Sequence, residues 1–198
     1  MSKKNIIILV SVISIVLLGT GGFWLIKFKN KPAEKSQAIQ EKNYFEINDE
    51  LAGIAFKIGR KFDRMPANLL QTKNPNFVYG FSAKDDNSVT CFISQTKREK
   101  AGVVKVSDLR DGVLEQLKKS NPDAKLDSAQ IVDVGENNNK GASLKMSYTE
   151  TDQNPMIQWE TVGITEKIST FAFCNCPKAV IDLYQEEFEL FLSSLRIK

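Results

Sequence analysis

The chain has 198 residues, a formal net charge of +3 and no histidine. The lack of histidine excludes Ser-His-Asp and Cys-His catalysis, histidine-ligated zinc and proton transfer through an imidazole. Residues 1–43 hold seven lysines and two glutamates, which leaves residues 44–198 with 20 basic and 22 acidic side chains, a net charge of −2. We therefore expect no nucleic-acid partner for the larger part of the chain.

Residues 5–26 form an apolar run that is long enough to span a bilayer. The run has no charged residue, and about 20 apolar residues in a helix cross a hydrocarbon core about 30 Å thick. Trp24 lies near its end, where aromatic rings favour the membrane interface. A cleaved signal peptide is the alternative, but apolar residues continue beyond the small residues at 19–22. The pattern favours an uncleaved anchor.

These features divide the chain into four parts. Residues 1–4 are a short N-terminal tail, 5–26 a transmembrane helix, 27–43 a polar linker and 44–198 a single α+β domain. A short basic start before a signal anchor usually stays in the cytoplasm. We therefore expect a single-pass protein of the cell membrane, with the domain on the extracytoplasmic side.

The domain is predicted to open with a hairpin. Residues 44–47 form one strand, and a second strand begins at Gly53, where every second residue is large and apolar. Residues 59–75 are interpreted as irregular, with one helical turn that begins at Pro66.

Two strands and a helix are predicted next. The strands cover residues 77–81 and 89–94. Alternation in the first of them places three aromatic residues on one side: Phe77, Tyr79 and Phe81. The helix has Ser107 as its N-cap and ends before Pro122.

The second half of the domain is predicted as a meander with a closing helix. Four strands are expected, at residues 130–134, 142–149, 156–164 and 168–174. Strict alternation in residues 142–149 indicates one buried and one wet face, as in an antiparallel sheet. The closing helix begins at Pro177, and its apolar stripe includes Leu183 and Phe188.

This order of elements predicts an α+β fold in which two helices pack on an antiparallel sheet. The order, the strand at residues 53–58 and the helix end at residues 188–195 resemble the PsbP-like and LpqN-like α/β/α sandwich domains over residues 44–198. The resemblance implies a largely non-catalytic protein: an accessory or assembly factor, or a secreted or membrane-anchored binding domain. No functional residue of these families maps onto the sequence.

The three cysteines carry the most specific candidate chemistry. Cys174 and Cys176 share one face of a strand, and Cys176 lies beside the predicted start of the last helix, where a thiol pKa is lowered. Three interpretations stay open: small buried residues, a disulfide from Cys91 to Cys174 or Cys176, and a reactive thiol or metal ligand.

Two further groups of residues are candidates for binding. A basic group at the end of the opening hairpin could contact an anionic surface: Lys57, Arg60, Lys61 and Arg64. An aromatic group could line a pocket for an apolar ligand: Tyr79, Phe81, Tyr148 and Trp159. A solvated surface and ordinary core packing are the simpler interpretations of the two groups.

The sequence thus predicts a membrane-anchored, non-catalytic, extracytoplasmic domain that binds a protein or an envelope component in an accessory or assembly role. We expect no cofactor and no metal. Two alternatives remain: a carrier for an apolar ligand, with a cavity between sheet and helix, and a thiol enzyme that uses Cys176.

Overall fold

The computed structural model describes residues 42–98, 105–135 and 140–198. The predicted tail, the predicted transmembrane helix at 5–26 and nearly all of the predicted linker lie outside the described residues. No helix among the described residues is long and apolar enough to cross a membrane.

Ten strands and three α-helices follow one another in the described residues. The strands are β1 (Tyr44–Asp49), β2 (Ile54–Gly59), β3 (Phe62–Arg64), β4 (Phe77–Ala83), β5 (Thr90–Lys97), β6 (Lys125–Asp133), β7 (Lys140–Thr149), β8 (Pro155–Ile164), β9 (Ile168–Pro177) and β10 (Arg196–Ile197). The helices are α1 (Ala67–Lys73), α2 (Val106–Ser120) and α3 (Ile181–Ser193), with a 3-10 helix at Lys178–Val180.

The strands form two antiparallel sheets. The large sheet has the order β3-β4-β5-β9-β8-β7-β6, and the small one has the order β1-β2-β10. The predicted α+β class is confirmed, with three helices instead of the two that the sequence indicated. The additional helix is α1, which extends the single turn predicted at Pro66.

One face of the large sheet is covered by α3 and by the β1–β2 hairpin, and we call it the sealed face. Its core contains Phe56 of the hairpin and both Phe188 and Phe191 of α3, all fully buried. The ring of Phe56 lies 5.5 Å from that of Phe191, and Trp159 of β8 lies 6.0 Å from Phe188. Edge-to-face aromatic packing therefore closes this side of the sheet.

The opposite face, which we call the cleft face, is covered only at its two ends. Helix α1 packs on β4, and a Cβ at Gly80 would clash with Leu70 of that helix, so the close approach requires glycine. Helix α2 packs on β6 and β7 through Val113, which joins Leu144 and Met146 in a second apolar cluster. The central strands β5, β9 and β8 lie between the two helices.

A bulge in β4 contradicts one prediction from alternation. Phe77 pairs with Ser94, whereas Tyr79 pairs with Ile93, so the register shifts between the two aromatic residues. One extra residue turns a side chain to the other face of a sheet. The expectation that Phe77 shares a side with Tyr79 and Phe81 is therefore wrong, and Phe77 lies on the cleft face.

Several predicted boundaries are also wrong. Strand β6 begins at Lys125, five residues before the strand predicted at 130–134. Helix α2 starts one residue before Ser107, and the Ser107 hydroxyl donates to Asp108 instead of capping the helix. Strand β9 continues through Pro177, which pairs with Met156, so α3 begins four residues later than predicted. Leu183 then falls on the outer side of α3 and is 66% exposed.

Candidate functional site

A cleft lies between α2 and the cleft face of the large sheet, and it has a volume of about 530 Å³. That volume is within the usual range for small-molecule sites, roughly 300–1,000 Å³. Its apolar walls come from three residues of α2 and three of the sheet: Leu109, Val113, Leu117, Phe77, Phe171 and Phe173.

The sequence of α2 leaves room for this cleft. Gly112 lines it, and a Cβ at this position would meet no atom within 4 Å. Leu109 and Leu117, four residues before and after Val113, continue its apolar stripe along the cleft. Helix α2 thus borders the cleft with apolar side chains and leaves a gap at Gly112, which has no side chain.

Stacked aromatic rings form part of the floor. The ring of Phe77 lies 4.7 Å from that of Phe92 and 6.0 Å from that of Phe173, and the rings of Phe92 and Phe173 are 5.5 Å apart. Phe77 reaches this group only because of the bulge in β4. The half-buried rings of Phe171 and Phe173 present apolar surface to the cleft.

A single carboxyl group, that of Glu160 on β8, is buried in the floor. The residue is 4% exposed, and its Oε2 accepts a hydrogen bond of 2.8 Å from Nε2 of Gln158. Its register neighbours are apolar, Leu144 on β7 and Phe173 on β9. Burial raises the pKa of Glu160 to about 7, and the bond from Gln158 opposes that shift.

The cleft combines apolar walls and a buried acidic hydrogen-bond acceptor with eight neutral polar residues: Asn74, Asn76, Ser94, Thr96, Gln116, Ser120, Asn121 and Gln158. Asp108 and Glu160 are the only charged residues among the described residues that line it. Beside it, Asn175 pairs in register with Gln158, and its buried Oδ1 has no hydrogen-bond partner among the described residues. In the described ranges, no group of three or more Cys, Asp or Glu side chains is placed to hold a metal ion.

The three cysteines lie on the sealed face, away from the cleft. Cys91 of β5 and Cys174 of β9 are directly opposite in register, and the structure joins them in a disulfide. Cys176 is a free thiol and is buried. Burial raises the pKa of Cys176 to about 12, and a thiol that stays protonated is a weak nucleophile.

The four basic residues at the hairpin each have a partner of their own. The charged end of Lys57 lies 4.9 Å from the ring of Tyr44, and the guanidinium of Arg60 lies 5.0 Å from the ring of Phe45. Such contacts keep a cation at the surface while its stem covers apolar area.

The other two basic residues point to other parts of the domain. Lys61 forms an ion pair of 2.7 Å with Glu187 of α3. Arg64 stacks over the ring of Tyr79 at 4.6 Å. A contact with an anionic surface stays a prediction for all four basic residues: Lys57, Arg60, Lys61 and Arg64.

The predicted aromatic group does not line the cleft. Tyr79, Phe81 and Trp159 belong to the core of the sealed face. Tyr148 packs with Met156 near the end of α2. Trp159 also borders a second, smaller cavity of about 360 Å³ beside α3, where the Lys145 ammonium lies 3.5 Å from its ring centroid.

Glu160 is the residue that the sequence reasoning missed. Residues 156–164 were interpreted as a strand, and alternation places Glu160 on the same face as Met156 and Val162. A charged side chain between two buried apolar ones is the signal that would have identified it.

The chain matches no protein-family model and no curated protein. Three solved structures resemble it in fold. Cyanobacterial PsbP (CyanoP) from Synechocystis sp. PCC 6803 has a TM-score of 0.60 at 12% identity, with 84% of this chain and 99% of that chain covered. LpqN, involved in cell envelope biogenesis of Mycobacterium tuberculosis, has a TM-score of 0.54 at 12% identity, with 78% of this chain and 90% of that chain covered. The Saccharomyces cerevisiae Ran-binding protein Mog1p has a TM-score of 0.52 at 8% identity, with 78% of this chain and 95% of that chain covered.

These likenesses concern the fold. The described domain has the PsbP-like and LpqN-like α+β fold, which confirms the resemblance noted in the sequence. At such low identities the cleft chemistry must be argued from the residues of this chain.

Proposed function

We propose that this chain is a non-catalytic, membrane-tethered binding protein that holds a small, mostly apolar envelope component in the cleft between α2 and the sheet. The observation that carries the proposal is the cleft itself, about 530 Å³, in which aromatic and aliphatic side chains, neutral polar side chains and a buried carboxyl group line one open space. A concave site with apolar walls and placed polar groups is the usual form of a ligand site.

The contrast with the rest of the domain supports a ligand over a packing defect. On the sealed face apolar side chains pack on one another, and Phe56, Phe188 and Phe191 are fully buried. In the cleft, Phe171 and Phe173 stay half-buried and face the open space. A ligand with an apolar body removes that surface from water, at about 25 cal/mol per Å².

The location follows from the sequence. The apolar run at residues 5–26 anchors the chain, and the polar linker holds the domain off the membrane on the extracytoplasmic side. Among the fold neighbours, one is involved in cell envelope biogenesis and another is Ran-binding. Both descriptions are compatible with a binding or accessory role for this chain.

Blocking the cleft tests the site. The full chain is purified from its native membrane as wild type, Gly112→Phe and Glu115→Phe. Gly112 has open space toward the cleft, whereas Glu115 is exposed on α2 and does not line it. Mass spectrometry after denaturation should find a small molecule released by the wild type and by Glu115→Phe, and not by Gly112→Phe. The same release from all three proteins would exclude the cleft.

Labelling of intact cells tests the location. A membrane-impermeant amine reagent should modify exposed lysines of the domain, such as Lys73 and Lys125, without lysis. Modification that appears only after lysis would place the domain in the cytoplasm.

A protein partner is the second candidate, and the edge of the large sheet favours it. Strand β6 pairs with β7 along one side, and Ile131 on this edge strand is 67% exposed. An exposed strand edge can accept a strand from another chain. A photo-crosslinking residue at position 131 should then give one discrete conjugate in the native membrane, and the same residue at Ala179 should give none.

A further inference from the structure

The buried carboxyl of Glu160 lacks the partners that usually stabilise such a group. Its one hydrogen bond within the described residues comes from the neutral amide of Gln158. Leu144 and Phe173 flank it on the neighbouring strands. A buried charge is costly unless it is paired, so an ionised Glu160 needs a cation that the described residues do not supply.

The charge of the cleft has one sign. Helix α2 contributes Asp108, and β8 contributes Glu160. Strands β4, β5 and β9 contribute aromatic and hydroxyl side chains, so no described lysine or arginine lines the cleft. A cation that enters this space meets two carboxyl groups and no repulsion from a basic residue.

The shape of the cleft fixes where an apolar body would lie. Phe171 and Phe173 of the sheet line the open space together with Leu109 and Val113 of α2, and Glu160 lies in the floor beside Phe173. Aromatic ring faces also attract cations. An apolar body between these walls directs its polar end toward the carboxyl.

We propose that the ligand is a cationic amphiphile, an apolar body with a protonated amine, and that its ammonium donates a hydrogen bond to the Glu160 carboxylate. This inference rests on the proposed function and specifies the ligand class for the same cleft. A neutral or anionic molecule of the same shape would bury Glu160 without a counter-charge.

The proton affinity of Glu160 couples this binding to pH. Burial raises the pKa of Glu160 to about 7, so a fraction of the free protein carries a protonated carboxyl at neutral pH. The ammonium pairs with the ionised form, and binding therefore releases a proton. Asp108 is the other titratable group that α2 presents to the cleft, and the sheet strands that line it add none.

Three matched probes test the ligand class: phenylbutylamine, phenylbutanol and phenylbutanoate, which differ only in the head group. Each is titrated calorimetrically into the full chain in lipid nanodiscs, with empty nanodiscs as the blank. We expect the amine to bind the wild type at least about ten-fold more tightly than the other two. Its affinity should rise by about thirty-fold from pH 5.5 to pH 8, in proportion to the ionised fraction of Glu160.

Two carboxamide variants assign the effect to one carboxyl group. Glu160→Gln should remove both the preference for the amine and its pH dependence, while phenylbutanol keeps its affinity within about two-fold. Glu115 is an exposed carboxylate on α2 that does not line the cleft, and Glu115→Gln should therefore behave as wild type.

The outcomes separate the two proposals. Equal affinity for the three probes, or a preference that survives in Glu160→Gln, overturns the cationic ligand and leaves the binding cleft in place. Absence of binding for every probe, or binding that persists unchanged in Gly112→Phe, overturns the proposed function itself.

Discussion

The two faces of the large sheet use the same strands for different purposes. On the sealed face, α3 and the β1–β2 hairpin cover every central strand, and the aromatic rings there pack edge to face on one another. On the cleft face, α1 and α2 cover only the ends, and half-buried rings surround a buried acid. Stability is concentrated on one face, and binding chemistry is placed on the other.

The comparison also explains why a destabilising residue can be tolerated. A buried, unpaired carboxyl lowers the free energy of unfolding whenever it is ionised. The sealed face, with its buried aromatic core and its disulfide, offsets that cost. Four tests of this division follow, from the largest expected effect to the smallest.

Removal of one ring from each face should give unequal losses. Phe188→Ala deletes a fully buried ring that packs on Phe62 and Trp159, and should lower the free energy of unfolding by about 3–5 kcal/mol. Phe171→Ala on the cleft face deletes a half-buried ring and should cost about 1–2 kcal/mol. Urea denaturation measures both, and equal losses would contradict the division.

Removal of the disulfide should weaken the sealed face by a similar amount. Cys91 and Cys174 are 83 residues apart in sequence, and closure of a loop of that length is worth about 2–4 kcal/mol. The variant with alanine at both positions should lose that stability in thermal denaturation. As the control, a reducing agent should destabilise the wild type and leave the variant unchanged; equal sensitivity of both would show that the reductant does not act through the bond between Cys91 and Cys174.

Replacement of the buried acid should stabilise the protein at high pH. The pKa of Glu160 is raised from 4.5 to about 7 in the folded state, so wild-type stability falls as pH rises from about 4.5 to 7. Glu160→Gln lacks this loss and should be more stable by about 3 kcal/mol at pH 8, with no such gain below pH 4.5.

The difference between these two proteins isolates Glu160. Hydrogen bonds lower the pKa of Asp49 and of Asp123, so the stability that these groups contribute is lost as the pH falls. Both groups are present in the wild type and in Glu160→Gln, so their contribution cancels in the difference. Denaturation at several pH values measures the difference. A constant difference in stability from pH 4 to pH 8 would show that the pKa of Glu160 is the same in the folded and the unfolded protein.

Two glycines give the smallest and most local test. Gly112→Ala adds a methyl group to open space in a helix and should stabilise the domain by about 0.5–1 kcal/mol. Gly163→Ala would place the same group against Ile197 and Val134 on the sealed face and should destabilise it. Thermal denaturation of both variants tests the sign, and two shifts in the same direction would contradict the comparison.

The sequence identified the architecture because periodicity is local and strong. Alternation in residues 142–149 correctly predicted the buried side of β7, and element order led to the correct fold family. The strand β3 and the turn from β9 into α3 were missed, since three paired residues carry no periodic signal and Pro177 suits both a strand end and a helix start.

The cleft could not be predicted in the same way. Its floor depends on the bulge that turns Phe77 away from Tyr79, and a bulge has no signature in alternation. Its open space depends on where α1 and α2 lie over the sheet, which is a matter of long-range packing. Glu160 alone was detectable, as an acid on a strand face that is otherwise buried.

The disulfide also turns part of the chain into a covalent ring. Residues 91–174 are closed by the bond between Cys91 and Cys174, and this ring includes α2, Glu160 and Phe173. A proteolytic nick anywhere inside the ring leaves two pieces that stay linked, with both walls of the cleft among them. In an oxidising environment that keeps the bond intact, a single cleavage inside the ring would therefore leave the domain covalently linked.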